Sequence, residues 1–302
     1  MMEPNEIRAL ISLLDDPDEE VQQQVRSRIK EEGLSLLPFI ESYENDLETS
    51  SDLLDTLQSL KQELQFDSLK RELVQWKDEG AEDLLAACLI ISRLADPEVQ
   101  EAEVRSFISK VRQDIWLELN ENLTAFEKVK VMNIILFDEY GFQGNREDYH
   151  NPDNSYLQKV IDERQGNPLS LSILYILLAE SLDIPIRGVN LPNHFIVAYI
   201  DELGSLLERL QGGEDAEMDV LFYVNPYSQG AILHKAEIDD FLGRLDIEME
   251  PRYFKPCDHI DIIKRMLNNL LHAYSKLEDL TMVEQVKDFL GALMDDSGID
   301  LV

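Results

Sequence analysis

Apolar residues recur at helical spacing through the first half of the chain. Ile7, Leu10, Ile11 and Leu14 share one face of a helix that the run Asp15-Asp16-Pro17 stops, because proline disfavours helix in the residue before it. Asp18 can cap a second helix with Val21, Val25 and Ile29 on one side, and Gly33 ends it. A short helix follows around Leu36 to Tyr43. Residues 51–80 continue as helix, with one stripe from Leu53 to Leu64 and another through Leu69, Leu73 and Trp76. Further helices are predicted over 82–94, 99–119 and 126–140, the last carrying Val129, Met132, Ile135, Leu136 and Tyr140.

The pattern then changes. Residues 141–155 (GFQGNREDYHNPDNS) carry two Gly, three Asn and a Pro, which is loop composition. Asn154 or Ser155 can cap a helix from Tyr156 to Arg164. Gly166 allows a tight turn, Asn167 can act as N-cap and Pro168 as first helical residue. The helix that follows, from Leu169 to Leu178, is apolar nearly all round and therefore buried. Pro185 ends it. Residues 186–190 read as a short strand, HFIVAYI over 194–200 as a clear one, and VLFYV over 220–224 as its antiparallel neighbour. Between the last two, residues 201–219 hold seven acidic residues and one Arg, and read as a solvated, mobile insertion. Helices are predicted over 236–245, 260–277 and 282–294, the last two as an antiparallel pair. The class is α+β, mainly α, with a small antiparallel sheet.

Composition narrows the partners. Of 302 residues, 61 are Asp or Glu and 27 are Lys or Arg, a formal charge of −34. A field of that sign repels phosphate backbones and anionic lipid, so neither nucleic acid nor a membrane surface is expected as partner. Hydrophobic residues make up 44%, enough for a real core. Cys88 and Cys257 form no disulfide framework, and Cys88 sits in the apolar run AACLII, where a packed thiol is the ordinary reading. The first residues lack the basic and apolar regions of a signal peptide, and no apolar run approaches the ~20 residues that span a bilayer. The expectation is a soluble, reduced, cytoplasmic protein. His150 has Asp148 and Asp153 nearby, but the spacing fits no tight metal-ligand set, so a structured loop is expected and no metal or cofactor.

Several motifs carry a family resemblance: GN-x-x-DY-x-N-P-x-NSYL at 144–157, R-x-GNP-x-SL at 164–171, P-x-HF at 192–195 and NPY-x-x-G at 225–230. Over roughly residues 85–275 the chain resembles the transglutaminase-like core of the bacterial SirB type. The first turns of the chain are similar to one HEAT-type unit, and its last helix pair to one tetratricopeptide unit. These likenesses together suggest three regions: a helical HEAT-like region over 1–80, outside the family resemblance, a papain- or transglutaminase-like core over 81–250 and a tetratricopeptide-like helix pair over 251–302.

The resemblance also implies a site. In active relatives a Cys at a helix N-terminus attacks, a His opening a following strand takes its proton, and an Asp or Asn on the next strand holds the imidazole. The nucleophile lies about fifteen residues before the Gly of a Gly-Ile-Pro turn. Asp183-Ile184-Pro185 matches that turn, which puts Pro168 at the nucleophile position. Proline has no thiol, hydroxyl or backbone N–H. His194 matches the base and Asn225 the orienting residue. Ser170 and Ser172 are the nearest hydroxyls, but at about 100° per helical residue Ser170 points some 200° away from position 168, and Ser172 lies one turn deeper. The expectation is a degenerate site with no competent nucleophile. Its cleft, comprising Arg164, Asn167, His194, Asn225 and Tyr227, would bind a protein or peptide. Two other functions fit the same residues: a hydrolase of altered chemistry using His194, and a structural module of a larger assembly.

Overall fold

The computed structural model describes residues 4–44, 50–201, 220–247 and 250–294. Two compact units emerge, Met1–Gln75 and Trp76–Val302. In the first, α1 (Pro4–Ser12), α2 (Glu19–Glu32), α3 (Leu37–Glu44) and much of α4 (Ser51–Asp78) close over one apolar cluster that includes Ile11, Ile29, Ile40, Leu57 and Leu60. Asp18 caps α2 by accepting from the Glu20 amide, and Gly33 ends that helix at φ +67°, where a side chain would be strained.

The second unit is built around α9 (Pro168–Glu180). Eleven of its thirteen residues are buried, so it has no solvent face and must be the element on which others pack. Of the helices before it, α6 (Glu101–Glu118) and α8 (Leu157–Glu163) pack on it, α7 (Ala125–Asn133) reaches it through Asn133 and Tyr175, and α5 (Leu84–Ala95) packs on α8. A four-stranded antiparallel meander packs against it: β3 (Ile186–Leu191), β4 (His194–Ile200), β5 (Val220–Asn225) and β6 (Ala231–Leu233), in that order. Three helices follow, α10 (Lys235–Arg244), α11 (His259–Lys276) and α12 (Leu280–Leu293), and α11 packs on α9, on α5 and on the turn at 152–155. The fold is mainly α with one small antiparallel sheet, as the pattern predicts. Among the described residues no helix is long and apolar enough to cross a membrane. Residues 202–219, most of the acidic insertion, lie outside the described residues.

Three local differences from the sequence expectation have physical causes. The helix expected over 126–140 changes register at Ile134 and finishes as a π-turn to Glu139, with the Tyr140 amide on the Ile135 carbonyl. The wider turn lets Ile135, Leu136 and Phe137 be buried in succession. Neither Asn154 nor Ser155 caps α8, whose N-cap is Tyr156 with no capping bond from its side chain. Both are buried and committed elsewhere, as described below. Finally, β1 (Gln143–Gly144) and β2 (Gln165–Gly166) form a two-residue parallel ladder, too short to leave a periodicity in the sequence.

The C-terminal helix pair is fastened to this core. The ring of His259, at the start of α11, approaches the Ala81 carbonyl through Nδ1 (2.9 Å) and Glu180 through Nε2 (3.1 Å). The Glu180 carboxylate holds the His259 pKa above its ordinary value against the opposing effect of burial. A folded-state pKa raised in this way adds stability that is complete below the unfolded value of about 6.5 and is lost as pH rises through the folded value. His259→Asn, which keeps a donor near Ala81, should therefore cost on the order of 1 kcal/mol at pH 6 and clearly less at pH 8.5, read by urea denaturation at both. An equal cost at both values would mean that the pair contributes no charge term.

Candidate functional site

The site region is assembled by short-range hydrogen bonds around the N-terminus of α9. The Asn167 Oδ1 accepts from the Ser170 amide (2.9 Å), and the Ser170 hydroxyl accepts from the Asn167 amide (3.0 Å), a reciprocal capping box. The Asn167 carboxamide also donates to the Ser155 hydroxyl (2.9 Å), which ties the turn at 152–155 to the helix start. The β1–β2 ladder holds the segment leading into α9, with the Gln143 amide on the Arg164 carbonyl and the Asn145 amide on the Gly166 carbonyl, both at 2.9 Å. Gly144 is dictated by close approach: a Cβ there would sit 2.3 Å from the Tyr227 ring. The β3–β4 hairpin has a two-residue loop, Pro192-Asn193, with Asn193 at φ +57°, and this tight reversal sets His194 at the head of β4.

Pro168 is buried as the first residue of α9. The hydroxyls beside it are already engaged. Ser170 is part of the capping box, and Ser172 is fully buried and donates back to the Pro168 carbonyl at 2.7 Å. Neither is poised to attack. Burial pushes both thiols, Cys88 and Cys257, up to about 12, so neither is a thiolate at neutral pH. Asp183 stands at φ +54°, which explains why this turn position suits glycine in a Gly-Ile-Pro turn.

His194 is half-buried, with its ring 5.9 Å from that of Phe241 and 6.3 Å from that of Tyr227. Burial holds its pKa below the ordinary value, the Asn225 side chain opposes that, and the Arg265 charge adds to it. A neutral imidazole can accept a proton, but a neutral Asn225 gives the resulting imidazolium less support than a carboxylate would. Asn225 also serves its own turn, its Oδ1 accepting from the Ser228 amide (3.3 Å). Tyr227 donates to the Asn145 carbonyl (3.2 Å). Arg164 is placed differently from the others. It closes α8 in the left-handed conformation, donates to the Ile161 carbonyl, and lays its guanidinium over the rings of Phe107 (4.4 Å) and Phe142 (5.0 Å). Burial lowers its pKa.

A cleft of about 310 Å³ lies beside these groups. Tyr149, His150 and Asn151 line it from the loop, with Ser155 and Asn167 at the helix start and Asn193 at the hairpin. Its remaining wall is α11, through Arg265, Asn269, His272 and Ala273. Of the residues expected from the sequence, Asn167 lines the cleft directly. Pro168 and His194 are the immediate chain neighbours of lining residues, while Arg164, Asn225 and Tyr227 are not among them. The α11 wall was missed, although it left a signal: residues 265, 269 and 272 fall at i, i+4 and i+7, a polar stripe beside buried Ile262, Met266 and Leu270. Among the described residues, no three His, Cys, Asp or Glu side chains are grouped to hold a metal ion.

Comparison with known proteins places this geometry in context. The family model for the transglutaminase-like superfamily matches residues 101–268, more than half of the 302-residue chain. A UPF0162 protein of Xylella fastidiosa (strain 9a5c) is 28% identical over 205 residues, 66% of this chain and 67% of that protein. The UPF0162 protein of Vibrio cholerae is 24% identical over 216 residues, 70% of this chain and 74% of its own length. Human F-box only protein 21 is 32% identical over 142 residues, covering 46% of this chain but 20% of that protein. No solved structure matches the chain.

Proposed function

We propose, since the chain belongs to the transglutaminase-like superfamily, that it has kept the superfamily's cleft and lost its reaction, and that it works by binding a protein or peptide. The observation that carries this reading is the occupant of the attack position. Pro168 offers no nucleophile, the hydroxyls of Ser170 and Ser172 are spent on capping and on the helix backbone, and both cysteine thiols are held protonated by burial. His194 remains as a base, and none of these four groups is free to give it a proton. On this reading the regions over 1–80 and 251–302 are HEAT-like and tetratricopeptide-like parts of a SirB-type cytoplasmic protein, and helical layers of that kind suit peptide partners.

The test is an amine-incorporation and hydrolysis screen with glutamine-bearing peptides and small amides, run on the wild-type chain and on His194→Ala. Both proteins should give rates equal to buffer. Turnover by the wild type that disappears in His194→Ala would overturn the proposal and restore an enzyme of altered chemistry.

A further inference from the structure

The cleft at the start of α9 differs in charge from the rest of the molecule. The chain carries 61 acidic residues against 27 basic ones, yet among the described residues no Asp or Glu lines this cleft, whereas Arg265, His150 and His272 do. Arg265 is half-buried, and its hydrogen-bond partner is the neutral Asn190 Oδ1 at 3.2 Å; among the described residues no carboxylate pairs with it. Leaving a guanidinium partly desolvated without an anion is costly, and in so acidic a chain a carboxylate partner would be easy to supply. The rings of His150 and His272 stand 5.4 Å apart. Partial desolvation disfavours a positive charge on His150, Lys276 and His272 add to that, and Asp148 opposes them. Asn193 and Asn269 line the same space with no side-chain hydrogen bond among the described residues. A carboxamide offers a donor and an acceptor side by side, which matches a peptide group and is half wasted on a phosphate.

We propose that this cleft binds a peptide through a carboxylate, either a free C-terminus or an acidic side chain, with Arg265 pairing to the carboxylate and Asn193 and Asn269 meeting the adjoining peptide groups. The proposal rests on the binding reading above and names its ligand. Arginine suits the task because its planar fork meets both carboxylate oxygens at once. His150 and His272 can add donors at the rim, where exposure keeps them adaptable.

Side-chain NMR of Arg265 Nε in the full chain tests this. Four probes are titrated at low salt: acetyl-Ala-Ala-Ala with a free C-terminus, acetyl-Ala-Glu-Ala-amide, acetyl-Ala-Ala-Ala-amide and inorganic phosphate. At least one carboxylate peptide should shift the Arg265 signal and bind about tenfold more weakly to Arg265→Gln. The neutral amide should bind at least about tenfold more weakly than that peptide. The exposed His272→Asn variant, which leaves the helix core untouched, should weaken the same peptide by a smaller factor. Which carboxylate peptide binds tells a C-terminus reader from an acidic-side-chain reader. Equal binding of the neutral amide, tighter binding of phosphate, or an unmoved Arg265 signal with all four probes would each overturn the proposal. None of these outcomes touches the non-catalytic reading, which falls only to turnover.

Discussion

Gly230→Ala should destabilise the fold by about 3 kcal/mol, visible as a lower midpoint in urea. Two costs combine. Gly230 lies at φ +74°, where a side chain costs roughly 1–2 kcal/mol. A Cβ there would also stand 2.1 Å from the Asn133 Oδ1, a distance that forces something to move. Asn133 is the group that must give, and it is not free to do so. Its Nδ2 donates to the Gly230 carbonyl (2.9 Å), and its Oδ1 accepts from the hydroxyl of fully buried Tyr175 (3.0 Å). Displacing Asn133 strands that hydroxyl inside the core, a loss of about 1–3 kcal/mol. Gly291→Ala is the matched control. It lies within α12 with open space around its Cβ position, and the same change there should stabilise by roughly 0.5–1 kcal/mol. A loss below about 0.5 kcal/mol at Gly230 would mean that the Asn133 junction yields easily and does not fix the β5–β6 turn on α9.

Asn154→Ala is the second large effect, about 2–3 kcal/mol, and it reaches the cleft. The Asn154 side chain is buried and donates to the carbonyls of Asp148 (2.7 Å) and Tyr149 (3.3 Å) while accepting from Asn145 Nδ2 (3.0 Å). Truncation leaves these loop groups without their partner. The loop they hold presents Tyr149, His150 and Asn151 to the cleft. Hydrogen exchange should therefore speed up over 145–151 by more than in α9, together with the drop in stability. Uniform acceleration across the second unit would show that Asn154 contributes to global stability without organising the loop in particular.

Much of this architecture was legible in the sequence, for reasons that differ by element. α9 declared itself because Asn167-Pro168 is a helix start and the residues after it are apolar on every side, which leaves burial as the sole option. β4 and β5 were short apolar runs, and β3 a short β-like segment after Pro185. The matched stretch, 101–268, falls inside the 85–275 range that the motifs suggested. Other features carried no local signal. The two-residue β1–β2 ladder has no period to read. Asn154 and Ser155 have the chemistry of helix caps, and tertiary hydrogen bonds claimed them instead. Arg164 stands beside the core turn in sequence, but its guanidinium is drawn away onto Phe107 and Phe142, and Phe107 comes from a helix more than fifty residues earlier in the chain. The cleft's charge depends on α11, whose approach to the loop at 149–151 is a matter of packing across more than a hundred residues. Residues 265, 269 and 272 share one polar face of α11, and nothing in the sequence says what that face meets.

The central claim is that the transglutaminase-like frame persists here without a nucleophile. Pre-steady-state release of p-nitrophenolate from a small acyl ester tests it most directly, because an attacking side chain must form an acyl-enzyme and release one leaving group per active chain before steady turnover begins. The account predicts a progress curve that extrapolates to zero at the moment of mixing, with the same slope for wild type and His194→Ala. A burst equal to the protein concentration, absent from His194→Ala, would contradict it.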